Sequence, residues 1–199
     1  MRETTPNLRP AAHWRAADLV DGVDSLAPPP LPGLVERLDR LAALDIPIGD
    51  PVPTTVLKDC GLGPDIALWR ESLFEGTGVV VIRGLPVDRW GEDRARRVFW
   101  ALGHGLGRPV SQSRMGDRLG DITRVSDDPN QRGYRSGRAL SMHTDSDDVV
   151  GMFCLRQGAS GGRSRLVSVH AIRDLLAQTA PETLAPLENG FRYHWRGEE

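Results

Sequence analysis

Cysteine is scarce: Cys60 and Cys154 are the only two in 199 residues. Two thiols build no disulfide framework, and no Cys-x-x-Cys stands ready for zinc or redox work. Both are expected to be reduced and buried, as in a cytoplasmic protein. Lysine is scarcer still. Lys58 stands alone beside 24 arginines, so a Schiff-base or phosphate-loop lysine could only be Lys58, and its surroundings match neither. A surplus of one charge is missing as well. With 25 Lys+Arg against 27 Asp+Glu the net charge is −2, which removes the electrostatic reason to bind nucleic acid or a membrane surface. No apolar run, Val79–Ile82 included, approaches the roughly 20 residues of a membrane span. The N-terminal stretch also lacks the apolar segment of a secretory signal. The expectations are a cytoplasmic protein with no nucleic-acid and no membrane partner.

Glycine and proline, by contrast, are abundant. The 22 glycines and 15 prolines exceed the typical combined share of roughly 12%, which argues against a helical bundle and for turns, short strands and loops. Residues 1–60 read as an irregular N-terminal region with short helices, broken by Pro28-Pro29-Pro30 and Pro32. The apolar spacing predicts helices over 34–44, 64–75 and 91–106, then over 171–178 and 181–188. Three β-rich runs read as strands: Val79–Ile82 between glycines, Val149–Arg156, and Ser164–Val169 after a Gly161-Gly162 turn. Strands and helices mix without regular alternation, which predicts an α+β fold and disfavours a doubly wound sheet.

Most catalytic signatures fail. Gly103-x-Gly105-x-Gly107 follows a helix rather than a strand and has Arg108 where a dinucleotide loop needs glycine. Asp145-Ser-Asp147-Asp148 lacks the glycine and distal glutamate of a calcium loop. His143-Thr144-Asp145 remains. On a strand, residues i and i+2 point the same way, so an imidazole and a carboxylate could face one ion. They would be two members of the 2-His-1-carboxylate triad of non-haem Fe(II) oxygenases. The tripeptide alone is unspecific, because five histidines and 27 acids give about 0.7 such pairs by chance. A surface histidine beside an acidic turn is the plainer reading of the spacing.

The context is more specific. Leu140-Ser-Met-His143-Thr-Asp145 runs into the second β-rich segment and then into Ser160-Gly-Gly-Arg-Ser164. With Gly78–Pro86, Val110-Ser-Gln112-Ser, Gly133-Tyr-Arg135-Ser136 and Phe191–Glu198, this order resembles the TauD/TfdA family of Fe(II)/2-oxoglutarate dioxygenases over roughly residues 61–199. The resemblance implies a partial double-stranded β-helix, or jelly roll, with flanking helices. It implies Fe(II) held by His143 and Asp145, 2-oxoglutarate as cosubstrate with Ser164 helping to bind it, and no catalytic residue beyond the metal ligands. It further implies that Gln112 and Arg135 lie near the substrate. A hydroxyl donor beside a carboxylate fits the role given to Ser164; a turn-capping hydroxyl is its plainer reading.

The resemblance also implies a small organic substrate, O2, hydroxylation, and decarboxylation of 2-oxoglutarate to succinate. The family's second histidine and its 2-oxoglutarate arginine fall beyond Glu199, so the chain is expected to be the N-terminal part of such an enzyme. His170 and His194 are poor substitutes for that histidine. Strands without neighbours would leave bare edges, which a second copy of the chain could cover as a homo-oligomer. The reading from another class is a catalytically inactive fragment or a non-enzymatic binding module.

Overall fold

The computed structural model describes residues 10–19, 21–112, 116–123, 139–145 and 147–190. They divide into two compact units. The larger takes its residues from Pro28–Glu71 and Ile82–Arg165, the smaller from Met1–Ala27, Ser72–Val81 and Leu166–Glu199.

The larger unit is built on helices. Its α1 is Leu34–Ala42, α2 Thr54–Asp59, α3 Gly63–Phe74, α4 Val87–Trp90 and α5 Glu92–Leu106. In α1 the buried positions are Leu34, Leu38, Leu41 and Ala42, one stripe at helical spacing. In α5 they are Ala95, Val98, Trp100, Ala101 and Leu102. Acids in the first turn, Glu92 and Asp93, and His104 in the last suit the helix dipole. Helices α1, α2 and α4 pack on α5, and Leu38, Leu41, Leu62 and Val98 are fully buried there. Each such side chain contributes about 1.5–3 kcal/mol relative to exposure.

Polar side chains tie these helices together. Asp39 on α1 accepts from Arg89 Nη2 at 2.6 Å and from Trp90 Nε1 at 2.7 Å, both on α4. Arg40 donates twice to the Cys60 carbonyl that ends α2. Arg37 grips Asp65, 1% exposed, through Nε and Nη2, each at 2.7 Å. The guanidinium pKa is raised, first because of the bond to Asp65, against the opposing effect of burial.

The smaller unit holds α6, Val169–Thr179, and α7, Leu184–Asn189. Ser168 caps α6 by accepting from the Ala171 N–H at 3.2 Å, while its hydroxyl donates to the Ala12 carbonyl at 2.6 Å. His13 faces Asp174 at 3.1 Å, and Trp14 Nε1 donates to the Thr77 carbonyl. No helix among the described residues is long and apolar enough to cross a membrane.

The architecture departs from the α+β expectation in one respect. None of the three predicted strands is a paired strand among the described residues. A strand exists only through a partner's hydrogen bonds, and these runs have no ladder there; Val150 and Met152 are 57% and 64% exposed. Some of the glycines and prolines bound helices instead. Gly33, Pro53, Pro86 and Gly91 sit at helix starts, and Gly107 and Gly190 at helix ends, where both residues are favoured.

Two glycines of α5 make opposite predictions. A methyl at Gly105 would meet Ile66 Cδ1 and Leu57 Cδ1 at 2.7 Å, whereas one at Gly103 meets nothing within 4 Å. Gly105→Ala is expected to destabilise despite better helix propensity, since overpacking costs about 1–3 kcal/mol and propensity returns about 1. Gly103→Ala should stabilise by up to about 1 kcal/mol. Paired urea melts check both signs, and a stabilising Gly105→Ala would refute the close packing of α2 and α3 on α5.

Candidate metal centre

Helix α5 is the platform for the segment that carries the predicted ligands. The Phe99 ring stacks on Phe153, with centroids 5.4 Å apart and planes at 17°. Gly151 offers its bare backbone to the same ring, since a Cβ there would stand 3.2 Å from Phe99 Cζ. Further along the helix, Glu92 pairs with Arg156 at 2.7 Å and Arg96 with Asp121 at 2.6 Å. The chain after Asp148 is thus held to one face of α5 by an aromatic stack and an ion pair.

His143 and Asp145 lie just before this anchored stretch, in irregular chain. His143 Nδ1 is 2.7 Å from the carbonyl oxygen of Ser141. A carbonyl only accepts, so Nδ1 carries the proton and donates it. In the neutral ring Nε2 then holds a free lone pair, and it stands 3.8 Å from Asp145 Oδ1. That is too long for a direct hydrogen bond, so both atoms keep electron pairs for a third party. Two donors each about 2.1 Å from one ion are about 3.0 Å apart at neighbouring octahedral positions and at most about 4.2 Å apart, so this pair could reach a single cation, and would close by about 0.8 Å to take neighbouring positions of a facial triad. The side chains are 53% and 49% exposed. No group of three His, Cys, Asp or Glu closes round an ion among the described residues.

The structure therefore brings two of the predicted site residues together and separates others. Ser164 is exposed in irregular chain rather than on a strand, and among the described residues no hydrogen bond joins it to His143 or Asp145. Gln112 is exposed; its main-chain N–H donates to the Asp117 carbonyl and its side-chain amide to the Val110 carbonyl at 3.4 Å. Arg135 and His194 lie outside the described residues. His170 sits half-buried in the first turn of α6. A cavity of about 400 Å³ lined by Asp45, Pro47, Ile48, Asp93 and Arg97 contains none of the predicted site residues. What sequence reasoning missed is the Ser141 carbonyl, a main-chain group with no side-chain signal, and the pairing of Phe99 with Phe153 across 54 positions.

One cysteine expectation needs correction. Cys60 is buried, and burial pushes its thiol pKa up, with Arg40 opposing and Asp59 adding to the rise. Cys154 is exposed, because its neighbours turn Phe153 rather than the thiol toward α5. A thiol-reactive dye should label Cys154 rapidly and Cys60 slowly, in two phases of equal amplitude. A single fast phase for both thiols would contradict the burial of Cys60.

Comparison with known proteins bears on the same region. Residues 51–199 match the model of the family described as "Taurine catabolism dioxygenase TauD, TfdA family". The chain is 31% identical over 141 residues to the FR-33289 synthase of Streptomyces rubellomurinus, covering 69% of this chain and 42% of that protein. It is 29% identical over 137 residues to the taurine hydroxylase-like protein SAT17 of Stachybotrys chartarum, covering 64% of this chain and 36% of that one. The chain thus spans about two fifths of the length of the curated relatives it matches. No solved structure matches significantly.

Proposed function

The chain belongs to the TauD/TfdA family of dioxygenases, and from that premise we propose that it serves an Fe(II)/2-oxoglutarate-dependent oxidoreductase, with His143 and Asp145 as two of the protein ligands to iron. The observation that carries this reading is the arrangement of the pair: an imidazole lone pair and a carboxylate oxygen 3.8 Å apart, with the other ring nitrogen tied back to the main chain. Bound iron would supply the redox centre at which O2 and 2-oxoglutarate react, giving succinate, CO2 and hydroxylation of a small organic substrate.

The chain's own groups do the rest. Asp145 would offset part of the metal's charge and His143 would add a neutral donor. Ser164 would offer a hydroxyl donor to a carboxylate of 2-oxoglutarate, and Gln112 and Arg135 are proposed as substrate contacts. Phe99 and Glu92 hold the stretch that follows the two ligands, at Phe153 and Arg156, on α5. The jelly-roll core of the family is the setting proposed for these residues. The name of one relative, a taurine hydroxylase-like protein, agrees with a hydroxylation.

The exposure of both ligand side chains favours a second reading, a binding module that keeps the pair without turnover. Succinate formation separates the two. The full chain, loaded anaerobically with Fe(II) and then given 2-oxoglutarate and air, should form succinate above a protein-free iron control. Succinate at the control rate would favour the module.

A further inference from the structure

We propose that the main-chain carbonyl of Ser141 is a positioning group: it selects the Nδ1–H tautomer of His143 and so assigns Nε2 as the nitrogen offered to a metal ion. The inference deepens the reading of His143 as a ligand and rests on it.

A neutral imidazole has one proton for two nitrogens, and the hydrogen bond made by one nitrogen decides what the other can do. In an exposed ring the proton prefers Nε2, the nitrogen that here faces Asp145. A proton there would block the metal-facing position. Two groups compete for it. Asp145 Oδ1 would draw the proton to Nε2, but it stands 3.8 Å away, beyond hydrogen-bond reach. The Ser141 carbonyl would hold it at Nδ1, and at 2.7 Å it is in full contact. Distance therefore decides for Nδ1. A hydrogen bond of ordinary net strength shifts the tautomer ratio by about 2- to 13-fold. The same bond fixes the ring's rotation, since a ring held at Nδ1 turns Nε2 away from the main chain. Metal-ligating histidines elsewhere are commonly oriented through a carbonyl or carboxylate on the second nitrogen. Here that partner lies two residues upstream in the same loop, so the orientation needs no distant element.

The test is long-range 1H–15N correlation on the full, metal-free chain with 15N-labelled histidine, at alkaline pH where the ring is neutral. The His143 signals are identified by their loss in His143→Ala. The expected result is a protonated Nδ1 and an unprotonated Nε2, unchanged in Asp145→Asn. A protonated Nε2, or a tautomer that switches in Asp145→Asn, would overturn the proposal. Mn(II) added to the same sample tests the ligand reading separately. Broadening at His143 and Asp145 alongside a protonated Nε2 would sink the Ser141 assignment and keep the ligands. An Nδ1–H ring that Mn(II) leaves sharp would keep the tautomer but remove its role toward a metal, and so overturn the proposal as stated.

Discussion

Replacing Arg37 with alanine is expected to destabilise the larger unit by about 3–5 kcal/mol, a large share of the 5–15 kcal/mol by which domains are stable. Asp65 is 1% exposed on α3, and both of its oxygens accept from Arg37 at 2.7 Å. Arg37 is itself mostly covered, with its side chain 16% exposed, and Nη1 donates to the Pro32 carbonyl at 2.6 Å. One guanidinium therefore joins the start of α1 to the first turn of α3. Truncation leaves a carboxylate in the core without its cation, and that penalty exceeds the net value of the pair. Arg37→Lys should recover only part of the loss, because an ammonium cannot bond both oxygens as a planar fork does. Removing both partners, as in Arg37→Met with Asp65→Leu, should return most of the stability. Urea melts followed by tryptophan fluorescence suit the question, since Trp69, Trp90 and Trp100 are all buried in this unit. A loss below about 1 kcal/mol for Arg37→Ala would mean that the pair is solvated, as surface pairs are.

The other large effect concerns turnover. His143→Ala and Asp145→Ala should each lower succinate formation by about 100-fold or more, because changes to the partners behind metal ligands already cost 10- to 100-fold. Asp147→Ala and Asp148→Ala provide the contrast. Both residues are exposed and acidic and lie in the same loop, so they would match the ligand variants if bulk negative charge were what mattered. They are expected to leave the rate close to that of the parent chain. Equal losses across all four variants would point to collapse of the loop rather than loss of two ligands, and circular dichroism of each variant would show whether the helices persist.

What the sequence made legible follows the length over which a pattern repeats. Helices α1 and α5 were readable because each carries its buried residues over two turns, whereas α3 buries only Asp65 and Trp69 and was read from its apolar spacing; the predicted 34–44, 64–75 and 91–106 agree with the observed bounds to within two residues. Helices α2 and α4, of six and four residues, are too short for periodicity to register. Gly103 and Gly105 do not interrupt α5, which continues to Leu106 with Gly105 pressed against Leu57 and Ile66. Only a bare backbone fits there, and that reason lies in tertiary packing. The β-rich runs illustrate the reverse case: Val79–Ile82 and Val149–Leu155 have the composition of strands, but pairing depends on a neighbour that composition does not name.

For the candidate site, the spacing of His143 and Asp145 anticipated that the two side chains stand together, although the reason given was alternation along a strand and the observed setting is an exposed loop. Their expected companion was Ser164, at the start of the third β-rich run. The described residues leave it in irregular chain, because a strand there depends on long-range pairing. The Ser141 carbonyl could not be anticipated, since every residue carries one.

The most direct measurement is anaerobic equilibrium dialysis of the full chain against Fe(II), beside His143→Ala, Asp145→Ala and the double variant. One iron per chain is expected. With only two described ligands its affinity should be modest, and it should fall by about 10-fold or more in either single variant and vanish in the double. Iron retained undiminished by the double variant, or no iron bound by the parent chain, would contradict the assignment of His143 and Asp145 as the metal ligands.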